Sequence, residues 1–231
     1  MRQIRHVGLF ALVVLVGIAA LSFQVHAAAR GQLVVALDSD LESLDPHQPP
    51  GSIDLAVLMH MFDHLVARDP TSMKVIPSLA ESWRTIDDQT WEFRIRKGVK
   101  FHNGEPLNAD AVKFSIERVL NPTQKSFLRD RFKSIIQVQV TDEFGIRLKT
   151  ERPDPVLLER LTNLAILPPK YVKEKGDAYI AKNPVGTAPY RFVEWLRGQR
   201  LVVEAQPGYW GPEPAVNAVA PRSWTEAAAF K

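Results

Sequence analysis

Hydrophobic positions along this 231-residue chain change their period repeatedly, and each change predicts an element. Leu33-Val34-Val35-Ala36-Leu37 is a continuous apolar run, the pattern of a strand buried on both faces. Asp38-Ser39-Asp40 ends it, and a proline-stiffened connection follows from Leu44 to Ser52. Between Ile53 and Val66 the apolar residues Leu55, Leu58, Met59, Phe62, Leu65 and Val66 recur at three- and four-residue steps. That spacing predicts a helix, with Ser52 able to cap its first N–H groups. From Trp83 the period becomes two. Asp87-Asp88 makes a turn, and Trp91, Phe93 and Ile95 then alternate with Glu92, Arg94 and Arg96 in a half-buried strand. Val99 and Phe101 continue that face as far as an Asn103-Gly104 turn. Asn108 is placed to cap a helix whose stripe is Val112, Ile116, Val119 and Leu120, stopped at Asn121-Pro122.

A second strand pair follows. Ile136, Val138 and Val140 face one way, and Phe144, Ile146 and Leu148 return after Asp142-Glu143. Pro155 to Leu164 reads as a short helix closed by Pro168-Pro169. The loop Asn183-Pro184-Val185-Gly186-Thr187 leads into a strand with Tyr190, Phe192 and Trp195, and Gly198 turns it into Leu201–Ala205. After Trp210 the sequence is Ala-rich and patternless, and no strand is expected there. Strands and helices alternate irregularly, so the class is mixed α/β.

The first 27 residues carry a different signal. Arg2 and Arg5 precede 17 residues without a charge, Val7 to Phe23, and Val25-His26-Ala27 resembles a small-residue cleavage site. This is the layout of an export signal cleaved near Ala27. An uncleaved membrane anchor is the alternative, since 17 apolar residues approach the length that spans a bilayer. Two of the 29 Lys+Arg fall in this segment, leaving 27 against 26 acidic residues, so the remainder is close to neutral. No basic block interleaved with aromatics supports nucleic-acid binding. The absence of cysteine excludes disulfides, thiolate catalysis and an N-terminal lipidated cysteine.

Candidate chemistry is sparse. No G-x-S-x-G elbow, P-loop or G-x-G-x-x-G fingerprint occurs. His60 and His64 lie four apart on the predicted helix, but without the Glu of H-E-x-x-H or a third ligand, so no metal site is expected. Asp38, Asp40, Glu42 and Asp45 do not follow the EF-hand spacing and read as turn carboxylates.

Several stretches in fixed order carry a resemblance. They are Ser43-Leu44-Asp45-Pro46-His47, Leu65-Val66-Ala67-Arg68-Asp69, Pro77 to Trp83, Trp91 to Gly104 and Asn108 to Val112. Asn183 to Thr187 and Gly208-Tyr209-Trp210 complete the series. Over residues 33 to 211 the chain resembles the family-five extracellular solute-binding proteins, the peptide, oligopeptide and nickel receptors of ABC importers. The resemblance implies a type II periplasmic-binding-protein-like first lobe: a mixed sheet with an inserted smaller α/β subdomain. Residues 28–62 and 169–231 would form the main sheet, 63–168 the insert, and the distal lobe would be missing from this chain. It implies a periplasmic receptor without catalysis or cofactor, whose partners are a peptide or other small solute and the transmembrane subunits of an ABC permease. Membrane contact would come only through that permease. Residues matching the family's first-lobe cleft are Pro50, Gly51 and Ser52, with Phe127, Thr162 and Asn163. For Gly51 and Ser52 a purely local role, turning and capping, stays open. Gly104 and Gly186 match structural glycines. Ala188 stands where the family usually has glycine, and would be strained by about 1 kcal/mol or more if that position needs positive φ. An exported membrane-tethered interaction protein and an exported hydrolase are the alternative functions.

Overall fold

The computed structural model describes residues 31–37, 39–48 and 52–223, so the export signal expected over residues 1–27 lies outside the described residues. Two four-stranded sheets organise the chain from Gln32 onward. The first takes its strands from the two ends of that span: β1 (Gln32–Leu37), β8 (Tyr190–Leu196), β9 (Arg200–Ala205) and β10 (Ala218–Ser223), in the order β1-β10-β9-β8. β1 runs parallel to β10, and the other pairings are antiparallel. Gly198 adopts φ +69° in the β8–β9 turn, a conformation that costs glycine nothing.

Two expectations fail in this sheet. β1 forms where the apolar run predicts it, but among the described residues it is an edge strand paired only to β10, and Leu33, Val34 and Val35 are 49%, 50% and 38% exposed. The other is β10, which forms in the stretch expected to be patternless. Its place between β1 and β9 comes from backbone pairing on both sides. Pro221, which lacks an N–H to donate, sits within it, and such a residue argues against a central strand when only the sequence is read.

The second sheet comes from the middle of the chain. β4 (Ala80–Asp87), β5 (Thr90–Ile95), β6 (Ile135–Asp142) and β7 (Gly145–Thr150) are ordered β4-β5-β7-β6, all antiparallel. Phe93 and Ile95 are buried on β5, with Ile146 and Leu148 buried beside them on β7. On β6 the buried residue is Ile135, and Ile136 is 60% exposed, because the register shifts between Ile135 and Gln137. A bulge of this kind moves side chains to the opposite face, which strict alternation does not anticipate.

The helix α2 (Ala109–Leu120) packs on β6 and β7 with Val112, Ile116 and Val119 buried. Asn108 caps it: its side-chain oxygen accepts from the Ala111 N–H at 3.1 Å. At the other end Asn121 is extended and the following Pro122 cannot continue the helix. Each fully buried aliphatic or aromatic side chain of this core contributes about 1.5–3 kcal/mol relative to exposure.

The predicted helix over 53–66 stops early. α1 covers Ser52–Leu58 only. Leu65 instead donates its N–H to Leu164 O (3.1 Å), Ile166 donates to Asp63 O (3.4 Å), and His64 bridges Ala165. The same pairing ends α4 at Leu157–Leu161, short of the predicted Leu164. One tertiary contact thus overrides helical periodicity in both segments. Val66 then enters the short hairpin β2 (Val66–Arg68) with β3 (Val75–Pro77).

Candidate functional site

Between α1 and the end of α4 the chain leaves an open recess of about 460 Å³. α1 supplies one wall through Leu55 and Leu58, continued by Met59 and Phe62 beyond its end. This helix is apolar on two sides. Val57 and Leu58 are buried, whereas Leu55 and Met59 are 44% and 64% exposed. Periodicity places Leu55, Leu58 and Met59 on one apolar stripe and leaves out Val57, but a segment apolar on more than one side has more apolar surface than one core contact covers. The surplus faces the recess.

The opposite wall is built from Phe127, Arg131, Thr162 and Asn163. Phe127 lies just before α3 (Arg129–Phe132), and Thr162 and Asn163 lie in the turn that closes α4. Thr162 donates its hydroxyl proton to Glu159 O at 2.7 Å, and the Asn163 amide donates weakly to Arg160 O at 3.4 Å. Phe127, Thr162 and Asn163, far apart in sequence, therefore line one recess. Of the remaining candidates, Pro50 and Gly51 lie outside the described residues, and Ser52 is the first residue of α1. Arg68 and Arg131, with the exposed Leu55 and Met59, also line the recess. Arg68 falls within one of the family-like stretches but was not singled out as a site residue, and Arg131 falls within none of them.

His60 and His64 do not converge. His60 lies edge-on to the Tyr190 ring at 5.9 Å, beyond the end of α1. His64 lines the recess, and burial lowers its pKa to about 4, so it is neutral near pH 7. Among the described residues no group of three His, Asp or Glu side chains is arranged to hold a metal ion. The acidic cluster after β1 also disperses. Asp40 accepts from the Gly198 N–H at 2.8 Å, and Asp45 is engaged elsewhere.

Two polar knots hold the recess in shape. In the first, Arg118 of α2 donates to both carboxylate oxygens of Asp45, at 3.1 and 2.6 Å, and to Asp177 at 2.8 Å. The side chains of Arg118 and Asp45 are 3% and 0% exposed. Asp45 also accepts the His47 N–H at 2.9 Å. The His47 ring is neutral, its pKa lowered to about 4 chiefly by burial, so Nε2–H donates to Ala165 O at 2.9 Å. This fixes Pro46 and Ala165, both of which line the recess. It also gives the Leu44-Asp45-Pro46-His47 stretch a physical reason, since all four residues are buried.

In the second knot, Asp63 accepts from Thr187 Oγ1 (3.0 Å), Tyr209 OH (3.2 Å) and Trp210 Nε1 (2.8 Å). Burial raises its pKa despite these three donors. Arg96 lies over the Trp210 ring at 4.7 Å. Gly186 is required by close approach rather than by φ, because an added Cβ would sit 1.9 Å from Met61 O. Ala188 does not have positive φ and is unstrained. It donates to Met61 O at 3.3 Å, and its carbonyl accepts from His102 Nε2 at 2.9 Å.

Comparison with known proteins identifies the family. Residues 74–230 match the family described as bacterial extracellular solute-binding proteins, family 5 Middle. The chain is 32% identical over 185 residues to the glutathione-binding protein GsiB of Pectobacterium atrosepticum, covering 79% of this chain and 36% of that one. It is 32% identical over 201 residues to the probable D,D-dipeptide-binding periplasmic protein DdpA of Escherichia coli, covering 82% and 39%. Among solved structures it resembles the periplasmic binding protein DppA of Helicobacter pylori in complex with the peptide STSA. The TM-score is 0.78 at 26% identity, covering 87% of this chain and 44% of that one. NikZ of Campylobacter jejuni in complex with Ni(L-His) gives 0.77 at 26% identity, covering 84% and 39%. The chain spans about 36–41% of the length of the curated relatives it matches. Its mixed sheet and second α/β sheet are those of the first lobe of a type II periplasmic binding protein. The chain belongs to the family-five bacterial extracellular solute-binding proteins.

Proposed function

We propose that this chain contributes the first-lobe half of a solute-binding cleft, capturing short peptides or similar small solutes for an ABC importer without altering them. The observation that carries this reading is the recess itself, where Phe127, Thr162 and Asn163 meet the exposed Leu55 and Met59. An apolar wall with a few convergent polar groups is the usual make-up of a small-molecule site. Relatives named for glutathione and dipeptide binding support the solute class.

The working arrangement that follows is periplasmic. Residues 1–27 act as the export signal, cleaved near Ala27, and the loaded receptor docks on the transmembrane subunits of a permease. Residues 28–62 and 169–231 form the main-sheet part of the lobe, with 63–168 inserted. The division is supported by the two sheets, whose strands fall at 32–37 with 190–223 and at 80–150. Ligand held against this recess alone keeps much of its solvent contact, so affinity is weak, with Kd in the millimolar range.

Ligand-observed NMR of the purified chain with the dipeptide Ala-Phe tests the reading. Wild type is expected to transfer saturation to the peptide, and Phe127→Ala to weaken binding about fivefold through lost apolar contact. No transfer at millimolar peptide would remove the proposal. Micromolar affinity would contradict the half-site.

A further inference from the structure

The recess is electrically one-sided. Its lining includes two guanidinium groups and no carboxylate. Arg68 is already committed, donating to Met73 O at 2.9 Å and pairing with Glu159. Arg131 is different. Its carbonyl accepts from Arg160 at 3.2 Å and its N–H donates to Leu128 O at 2.9 Å, so the backbone is fixed. Its guanidinium has no hydrogen bond, ion pair or ring contact among the described residues. The neighbouring charges are occupied: Arg129 donates to Leu120 O, and Lys133 pairs with Asp130. His64 is neutral and adds no competing positive charge.

An unpaired guanidinium lining a recess that also presents apolar side chains fits one chemical class. Guanidinium binds carboxylates in bidentate fashion and gives up its water more readily than ammonium does. Leu55, Met59 and Phe127 offer apolar surface in the same recess. We infer that Arg131 is an anion anchor and that the recess selects amphipathic acids, with the carboxylate on Arg131 and the apolar group against Leu55, Met59 and Phe127. The inference rests on the proposal above that the recess is the solute site. The carboxylate can be a peptide C-terminus or a simple acid, and matched ligand pairs separate these sources.

The experiment compares Ala-Phe with Ala-Phe amide, and 3-phenylpropionate with 3-phenylpropionamide, by ligand-observed NMR titration of the full chain. Each acid is expected to bind about fivefold tighter than its amide, the upper range for an ion pair at a solvent-facing site. Half-molar salt shrinks the preference. Arg131→Gln abolishes it, so that each acid binds no tighter than its amide, and Arg68→Gln retains it. A preference in the peptide pair alone assigns the anchor to peptide C-termini, whereas a preference in both assigns it to carboxylates generally. Equal binding of acid and amide, or a preference that survives Arg131→Gln, overturns the anchor and leaves the solute site standing. Absence of binding by all four ligands overturns both.

Discussion

Replacing Arg118 with methionine tests the knot that shapes the recess. Arg118 makes three charged hydrogen bonds, two to Asp45 and one to Asp177. Methionine keeps much of the aliphatic volume and removes all three. The two acceptors differ sharply in what they lose. The Asp177 side chain is 45% exposed and regains water, so that bond is worth about 1 kcal/mol or less. The Asp45 side chain is 0% exposed and, among the described residues, keeps only the His47 N–H. Leaving such a carboxylate unpaired costs about 3–5 kcal/mol. For a chain of this size 1 kcal/mol shifts Tm by about 2–4 °C, so R118M is expected to melt about 6–20 °C below wild type. D177N should melt within about 4 °C of wild type. The double variant D45N/R118M removes the buried charge along with its partner, so it should recover a large part of the loss. Calorimetric or circular-dichroism melts of wild type, R118M, D45N and D45N/R118M give the coupling directly. If R118M melts within 2 °C of wild type, or D177N costs as much as R118M, the buried pair does not carry the stability assigned to it.

Two further predictions follow from buried groups. His47, His64 and His102 each have a pKa lowered from 6.5 to about 4, chiefly by burial. The unfolded chain takes up their protons near pH 6.5 and the folded chain near 4, so the stability they hold is full above 6.5 and lost as pH falls towards 4. Urea midpoints should therefore decline across that window, and His47→Gln should flatten the decline; a constant midpoint from pH 7 to 4.5 would refute this. Gly186→Ala places a Cβ 1.9 Å from Met61 O and 2.8 Å from Phe62 Cδ1, backbone and ring atoms that move only with the chain around them. It is expected to cost about 1–3 kcal/mol or more, measured by thermal melts. A melt superimposable on wild type would show that the contact relaxes freely.

Local chemistry was legible where it acts over a few residues. Asn108 reads as a cap and accepts the Ala111 N–H, and Asn103-Gly104 reads as a turn and places Gly104 at φ +88°. Alternation found Phe93 and Ile95. It failed at Ile136, where a bulge changes the face, and at α1, where pairing of Asp63–Leu65 with Leu164–Ile166 ends the helix. Phe127, Thr162 and Asn163, named by family resemblance, line one recess. Arg131 and Met59 were not so named, because an unpaired guanidinium and an uncovered methionine are defined by what fails to contact them.

From the sequence alone come the elements set by propensity, capping and period, and the ordered motifs that place the chain in its family. The tertiary structure alone decided three things. It made β1 an exposed edge, seated β10 between β1 and β9, and gathered residues from 46 to 165 around one recess. Periodicity reports which face of a segment is apolar, a property of neighbours along the chain. What covers that face, and which charges stay unpaired, depends on contacts between segments more than a hundred residues apart, such as Asp63 with Trp210.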